Sequence, residues 1–284
     1  MSGTVRTGIA GWVFDEWRGG AFYPEGLKQK EELGYASRHL GAIEINATFY
    51  SHQKPASFES WAAQTPETFV FPVKGHQGIT HIKRLKDVEL PLANFFASGV
   101  LALGERLGPF VWQLPGNARY DPARMETFLK LLPKTPDDLL ALAGRHDEKT
   151  ANPYLDLTGI EQVRHAIEVR HTSFAEPAFI DMLRAHNVAL VVADTAEWPT
   201  IDPTADFIYC RLQGAPGSDH YTEADLDAWA ERIRLWASGQ PMTSGPFITT
   251  AETGPKPRDV FAHFVSTDKK NAPKNAMRLA EKLG

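Results

Sequence analysis

The amino-acid sequence predicts an α/β protein, a TIM-like (β/α)8 barrel. Two observations support this fold class. Short apolar segments alternate with longer amphipathic ones, and eight of the short segments have the character of buried strands. Eight strands alternating with helices in 284 residues fit one such barrel, so we expect residues 1–284 to form a single domain. The alternative is an open doubly wound sheet, but the sequence has no glycine-rich nucleotide fingerprint to support it.

The predicted elements alternate along the chain as a barrel requires. The predicted strands are residues 7–11, 42–49, 69–74, 110–114, 165–170, 189–194, 207–212 and 260–265. The predicted helices are residues 27–39, 57–64, 92–107, 122–132, 136–145, 176–186, 224–238 and 273–283. Capping side chains followed by proline at Asp121 and Thr135 mark two helix starts. Pro199 and Pro203 fall between the sixth and seventh strands, so we expect an irregular or missing helix there.

Composition and charge narrow the class of protein. Hydrophobic residues make up 43% of the chain and charged residues 23%, which is enough to bury a full core. The net charge of -5 argues against a generally basic nucleic-acid binder. The single cysteine, Cys210, excludes an internal disulfide and CxxC metal sites. No signal-like or membrane-spanning apolar run is visible, so we expect a cytoplasmic protein that does not contact a membrane.

The second predicted strand carries an unusual column of polar residues. After an apolar start, Glu44, Asn46, Thr48 and Tyr50 occupy alternate positions. Alternate residues of a strand share a face. A polar column at the end of an apolar strand is typical of the active-site rim of a barrel, although an edge strand with one wet face would give the same pattern.

The third predicted strand ends at Lys74 and runs into a cationic segment. Residues 74–86 contain four Lys or Arg residues and two histidines, one of them His81, and no acid. Such a segment can bind phosphate or carboxylate groups, although most charge runs are solvated loops. Lys74 is distinct, because a lysine at the end of a buried strand is costly without a partner or ligand.

The remaining strand ends complete a candidate site. Glu168 with Arg170, and Arg211 with Gln213, are two residues apart and share a face. Either pair could be structural, because a barrel must also satisfy charges near its centre. The candidate catalytic residues are Glu44, Glu168 and Asp194. The candidate substrate-binding residues are Trp12, Asn46, Lys74, His81, Gln113, Arg170, Arg211 and Gln213.

Several of these residues also carry a family resemblance. The landmarks are Gly11-Trp12, Trp17, Phe22-Tyr23-Pro24, Glu44-Ile45-Asn46, Thr48-Phe49-Tyr50, Trp61, Thr65-Pro66, Phe71, Lys74, Thr80-His81, Gln113-Leu114-Pro115, Glu168, Arg170, Asp194, Arg211, Ala272 and Asn275-Ala276. They run in order along nearly the whole chain, which resembles the YecE-like family, domain of unknown function 72. The resemblance implies a TIM-barrel-like fold and supplies no function. Gln213 stands where that family usually has histidine, and Val265 and Ser266 stand where it usually has two asparagines.

Three functional hypotheses follow from these residues. The first is an enzyme without a metal or other cofactor that acts on a small anionic substrate as a hydrolase, isomerase or lyase. Lys74, Arg170 and Arg211 would bind the anion, and a carboxylate would move the proton. The second is a metal-dependent phosphodiesterase or endonuclease with ligands among His76, His81, His171, Glu168 and Asp194. The third is a non-catalytic nucleic-acid or protein binding module that uses residues 74–86 together with Trp12 and Trp17. The sequence does not indicate an oligomeric state.

Overall fold

A computed structural model of the protein describes residues 2–195, 198, 200–214, 221–249, 256–265 and 269–284. Its strands are β1 (Val5–Ala10), β2 (Ala42–Glu44), β3 (Phe71–Lys74), β4 (Leu107–Gln113), β5 (His165–Glu168), β6 (Ala189–Ala193), β7 (Phe207–Leu212) and β8 (Asp259–Phe264). They form one parallel sheet in the order β2-β1-β8-β7-β6-β5-β4-β3. Parallel bridges from Ala42 to Val70 and from Ile45 to Val73 join the two ends of this order. The structure therefore confirms the predicted barrel.

Helices surround the barrel. They are α1 (Glu32–Ala36), α2 (Ala47–Tyr50), α3 (Pro55–Ala63), α4 (Glu89–Ala97), α5 (Pro122–Leu131), α6 (Pro136–Ala143), α7 (Pro177–His186), α8 (Glu223–Ser238) and α9 (Ala272–Leu283). The side chains of Asp121 and Thr135 accept hydrogen bonds from the first turns of α5 and α6, as the sequence predicted. None of the described helices is long and apolar enough to cross a membrane.

The connection between β6 and β7 is irregular, as predicted. The part of it that the structure describes contains no helix. Its buried Asp202 instead accepts hydrogen bonds from the backbone N–H groups of Ile248 (2.7 Å) and Thr249 (3.0 Å). The Asp202 carboxylate thus joins this connection to the loop before β8 by hydrogen bonds, where a regular barrel would have a packed helix.

Two sequence predictions about regular elements were wrong. The long helix predicted over residues 92–107 is split at Gly99, whose φ of 129° ends α4 before a 3-10 helix at Val100–Arg106. The strand predicted over residues 42–49 ends at Glu44, and the chain turns into α2. The Thr48 hydroxyl donates hydrogen bonds to the carbonyl oxygens of Ile45 (3.1 Å) and Lys74 (2.7 Å). This tertiary anchor overrides the strand preference of Thr-Phe-Tyr, so the proposed polar column does not exist.

The barrel interior changes from apolar to charged along β7. Phe207 and Tyr209 pack with Phe261 of β8 in a small cluster inside the barrel, whereas Ile208 and Cys210 join the larger core outside it. This alternation follows from the period of two along a strand. The next inward residue after Tyr209 is Arg211. The chain therefore places a buried guanidinium at the carboxyl end of the barrel, where the candidate site was predicted.

Candidate functional site at the carboxyl ends of the strands

Arg211 is the centre of a charged cluster that spans the barrel. Its Nη2 donates to Oε1 of Glu44 at 3.1 Å, and its Nη1 donates to Oε2 of Glu168. Glu44 ends β2 and Glu168 ends β5, and the exposed fractions of the three residues are 5% or less. One guanidinium thus bridges two buried carboxylates that come from distant parts of the chain.

Glu168 is the most heavily engaged acid of the site. Its Oε1 accepts hydrogen bonds from Gln113 Nε2 (3.0 Å) and from Nε (2.8 Å) and Nη2 (2.7 Å) of Arg170. Burial alone would raise the pKa of Glu168, but the guanidinium groups of Arg211 and Arg170 lower it to about 2. Glu168 is therefore ionised throughout the physiological pH range and is a weak base.

Glu44 has a lighter set of contacts. Its Oε2 accepts one hydrogen bond, from the Tyr209 hydroxyl at 2.9 Å. Burial, and after it the Glu44 carboxylate, raise the pKa of Tyr209 well above its ordinary value, so the phenol stays protonated. The ring of His263 stacks on Tyr209 with 5.1 Å between the ring centroids, and burial lowers the pKa of His263 to about 4. The rings of Tyr209 and His263 on this side of Glu44 are therefore uncharged.

Lys74 lies at the end of β3 and lacks, among the described residues, the carboxylate partner that Arg170 and Arg211 have. Its Nζ lies 4.3 Å from the centre of the Phe49 ring. No carboxylate of the described residues is within ion-pair distance of this Nζ. Burial, and after it the charge of Arg211, lower the pKa of Lys74 to about 8. Lys74 is therefore charged at neutral pH and loses its proton under mildly alkaline conditions.

Asp194 follows β6 and is tied to the end of β7. It accepts hydrogen bonds from the backbone N–H of Gln213 (2.7 Å) and from the Tyr221 hydroxyl. Burial, and after it the Asp194 carboxylate, raise the pKa of Tyr221 above its ordinary value. Two of the predicted binding residues, Gln213 and Asn46, each have a buried polar atom without a partner. Nε2 of Gln213 and Oδ1 of Asn46 form no hydrogen bond with any described residue.

The other two predicted binding residues lie in different surroundings. His81 stays beside Lys74, because its ring packs against the Phe49 ring with 4.9 Å between centroids. Trp12 packs on the rings of Trp61 (5.2 Å) and Phe71 (6.3 Å). The structure therefore brings most of the predicted residues to the Arg211 cluster or its rim, but it gives Trp12 aromatic packing contacts instead.

Three residues of this region are not predicted from the sequence: Tyr209, Tyr221 and Lys269. The charge of Arg211 acts on Lys269, since burial and then Arg211 lower the pKa of Lys269. A signal existed for Tyr209 alone, because it lies two residues before Arg211 on the same strand face.

The described residues contain no group of three or more His, Cys, Asp or Glu side chains placed to hold a metal ion. Of the ligands suggested for a metal site, Glu168 and Asp194 have the partners given above, and His76 packs against His52 with 4.9 Å between ring centroids. Val265 is described and follows β8. Ser266, the other position where this chain differs from the YecE-like pattern on β8, lies outside the described residues.

Comparisons with known proteins place the chain in a family. The model of the family described as "Protein of unknown function DUF72" matches residues 6–284. UPF0759 protein YunF of Bacillus subtilis is 35% identical over 80 residues, which cover 28% of this chain and 27% of YunF. A DUF72 family protein of Thermotoga maritima has a similar structure, with a TM-score of 0.70, 22% identity and 99% of each chain covered. One from Enterococcus faecalis has a TM-score of 0.66 and 15% identity, covering 99% of this chain and 98% of its own. These matches confirm the resemblance predicted from the sequence: the chain belongs to the DUF72 family.

Proposed function

We propose that this protein is an enzyme that acts on a small substrate bearing a phosphate or carboxylate group at the carboxyl end of its barrel. The observation that carries the proposal is the charge balance around Lys74. Three cations, Lys74, Arg170 and Arg211, meet two carboxylates, Glu44 and Glu168. Among the described residues, one positive charge is left without a partner in a partly buried position, which is costly unless an anion binds beside it.

These residues would have different tasks, which their hydrogen bonds support. Arg170 and Lys74 lie at the half-buried rim and would contact the anionic group of the substrate. Lys74, which is protonated beside a bound anion, would donate the proton. Of the three candidate acids, Glu44 accepts the fewest hydrogen bonds and is the best placed to assist. Glu168 and Asp194 would fix Arg211, Arg170 and the end of β7.

Proton uptake on anion binding tests the binding part of this proposal. An anion beside Lys74 raises the pKa of the lysine, so at pH 8 binding should draw a proton from the buffer. Sulfate is a suitable probe because it does not itself titrate there. Calorimetric titration in two buffers of different ionisation enthalpy should show uptake by the wild type and none by Lys74→Met. Lys86→Met, in an exposed residue of the same segment, is the control and should behave as the wild type.

A metabolite assay tests the catalytic part. The wild type and the two variants are incubated with a small-molecule extract of cells, and anionic compounds are followed by mass spectrometry. We expect the wild type and Lys86→Met to deplete the same compound and Lys74→Met to leave it unchanged. Failure of sulfate and of a dicarboxylate such as malonate to bind the wild type would refute the anion site. Binding without any depletion would refute the enzyme.

A non-catalytic binding module is the second candidate. It is favoured by two exposed side chains: Tyr50 is 69% exposed, and Ile82, which directly precedes the cations of residues 83–86, is 73% exposed. Rings and cations of this kind bind single-stranded nucleic acid. Fluorescence anisotropy with a short single-stranded DNA should then show binding that weakens steeply with salt and disappears in Lys83→Ala/Arg84→Ala/Lys86→Ala. Absence of binding at low salt would exclude this role.

A further inference from the structure

A second cationic cavity lies between the segment that follows β3 and the loop that follows β4. Its volume is about 50 Å³. Arg84 lines it from the first segment, Arg119 from the second, and Arg124 from the first turn of α5. Its remaining walls are Thr80, Asp121 and the apolar residues Leu85, Leu114, Ala118, Met125 and Phe174. Three guanidinium-bearing residues therefore converge on an apolar floor.

The cavity has an excess of positive charge. Its one acid, Asp121, pairs with Arg124 at 3.2 Å and accepts a hydrogen bond from the first turn of α5. Arg84 contacts only a neutral group in the structure as described, Asn117 Oδ1 at 3.4 Å. Arg119 forms no ion pair with any described residue. Two guanidinium groups thus remain available to an anion.

The backbone that carries Arg84 is held in an unusual conformation. A π-helix at Gly78–Ile82 precedes it, and such turns are frequent at functional sites. Arg84, Leu85 and Asp87 then have φ values of 48°, 66° and 52°, a region that non-glycine residues adopt rarely. Leu85 anchors the turn, since it is 4% exposed and its N–H donates to the Ile79 carbonyl at 3.0 Å. A solvated charge run would not need this constraint.

Side-chain contacts connect the cavity to the Arg211 cluster. Phe49 touches both Lys74, at 4.3 Å, and His81, at 4.9 Å. The Nδ1 of His81 lies 2.9 Å from Oγ1 of Thr80, which lines the cavity. Burial, and after it the charges of Lys74, Arg170 and Arg84, lower the pKa of His81. The two cationic sites are therefore neighbours.

We propose that this arginine cavity is a second anion subsite, and that the substrate is a small molecule with two anionic groups joined by a short linker. One group would bind beside Lys74 and Arg170, and the other would enter the cavity beside Arg84 and Arg119. The apolar floor of the cavity suits an uncharged linker. This inference rests on the anion site proposed above, and it adds the substrate class.

A series of phosphonates tests the subsite. Alkylphosphonates carry one anionic group, and α,ω-alkanediphosphonates of increasing chain length carry two. Their dissociation constants are measured by calorimetry for the wild type, Arg84→Ala/Arg119→Ala and Lys86→Ala. Lys86 is exposed, belongs to the same segment and does not line the cavity, so its replacement is the matched control. All three substituted positions are at the surface, where side-chain replacement rarely disturbs folding.

We expect one chain length of diphosphonate to bind the wild type at least about tenfold more tightly than the monophosphonate, because the second group binds intramolecularly. The double arginine variant should lose this advantage and keep the monophosphonate affinity, and Lys86→Ala should keep both. A monophosphonate that binds, with no diphosphonate binding better, would overturn the second subsite and leave the proposed function standing. An advantage that survives the loss of both arginines would overturn it as well. If the monophosphonate does not bind, the anion site beside Lys74 is itself refuted.

Discussion

Replacing Lys74 by methionine should make the fold more stable while it abolishes anion binding. The Lys74 ammonium is partly buried, rests on the Phe49 ring and has no carboxylate within ion-pair distance among the described residues. Methionine has a similar length and packs well against a ring. The substitution therefore removes a costly charge and keeps most of the packing, which is the usual opposition between stability and activity in a binding site.

The pKa of Lys74 sets the size of this effect. Its fall from the ordinary value of 10.5 to about 8 corresponds to about 3 kcal/mol against the charged form in the folded state, at about 1.4 kcal/mol for each pKa unit. Loss of the cation–π contact with Phe49 offsets about 1 kcal/mol. A net gain of about 2 kcal/mol remains, which for a domain of this size raises Tm by roughly 4–8 °C.

The pH dependence distinguishes this cause from improved packing. Because the pKa of Lys74 is lower in the folded state than in the unfolded state, the penalty is fully present below pH 8 and disappears above pH 10.5. Urea unfolding of the wild type and Lys74→Met at pH 7 and pH 10 should show a large stability difference at pH 7 and a small one at pH 10. Lys86→Met should give no appreciable difference at either pH. A destabilised Lys74→Met, or a gain that is equal at both pH values, would refute the reasoning.

Three further predictions concern the fold around the site. Glu168→Gln should cost about 3–5 kcal/mol in urea unfolding, because it leaves the Arg211 and Arg170 guanidinium groups without their shared carboxylate; a loss below about 1 kcal/mol would contradict the ion-pair assignment. The stability that the ionised Glu168 contributes should be complete above pH 4.5 and fade as the pH falls toward 2, since the pKa of Glu168 is lowered to about 2 in the folded state. The free energies of unfolding of the wild type and Glu168→Gln should therefore converge over that range. Gly75→Ala should destabilise the fold by about 1–3 kcal/mol, because its Cβ would lie 2.3 Å from Cε3 of Trp112. Gly116→Ala is the control, since a Cβ at Gly116 meets no atom within 4 Å.

The barrel could be predicted from the sequence because its strands carry their own local signal. The predicted seventh strand matches β7 (Phe207–Leu212) residue for residue. A short run of bulky, mostly apolar residues is typical of a strand buried on both faces, as β7 is. The segment 42–49 failed for a reason outside its own sequence. The Thr48 hydroxyl finds its acceptor on Lys74, 26 positions later in the chain, and no local pattern records such a partner.

The candidate site could be predicted as a set of residues but not as a set of contacts. Parallel strands bring their carboxyl ends together, so Glu44, Glu168 and Arg211 could be grouped from the strand ends alone. Their pairing could not be predicted, because Arg211 bridges acids that lie 167 and 43 positions away. The pKa of Lys74 depends on the same information, since burial and then the charge of Arg211 lower it while Glu44 and Glu168 raise it.

The two ends of the barrel offer an internal comparison that favours a binding role for Lys74. At the amino end, the guanidinium of Arg164 lies over the Phe207 ring at 5.3 Å and pairs with Asp259 at 2.7 Å. At the carboxyl end, Lys74 lies over Phe49 in the same way. Its neighbouring carboxylates, however, are engaged by arginines. Arg164 is thus neutralised within the protein, which avoids the cost of an unpaired buried charge. Lys74 has no such partner among the described residues, at the end where barrel enzymes bind their substrates, and an anionic substrate would supply one.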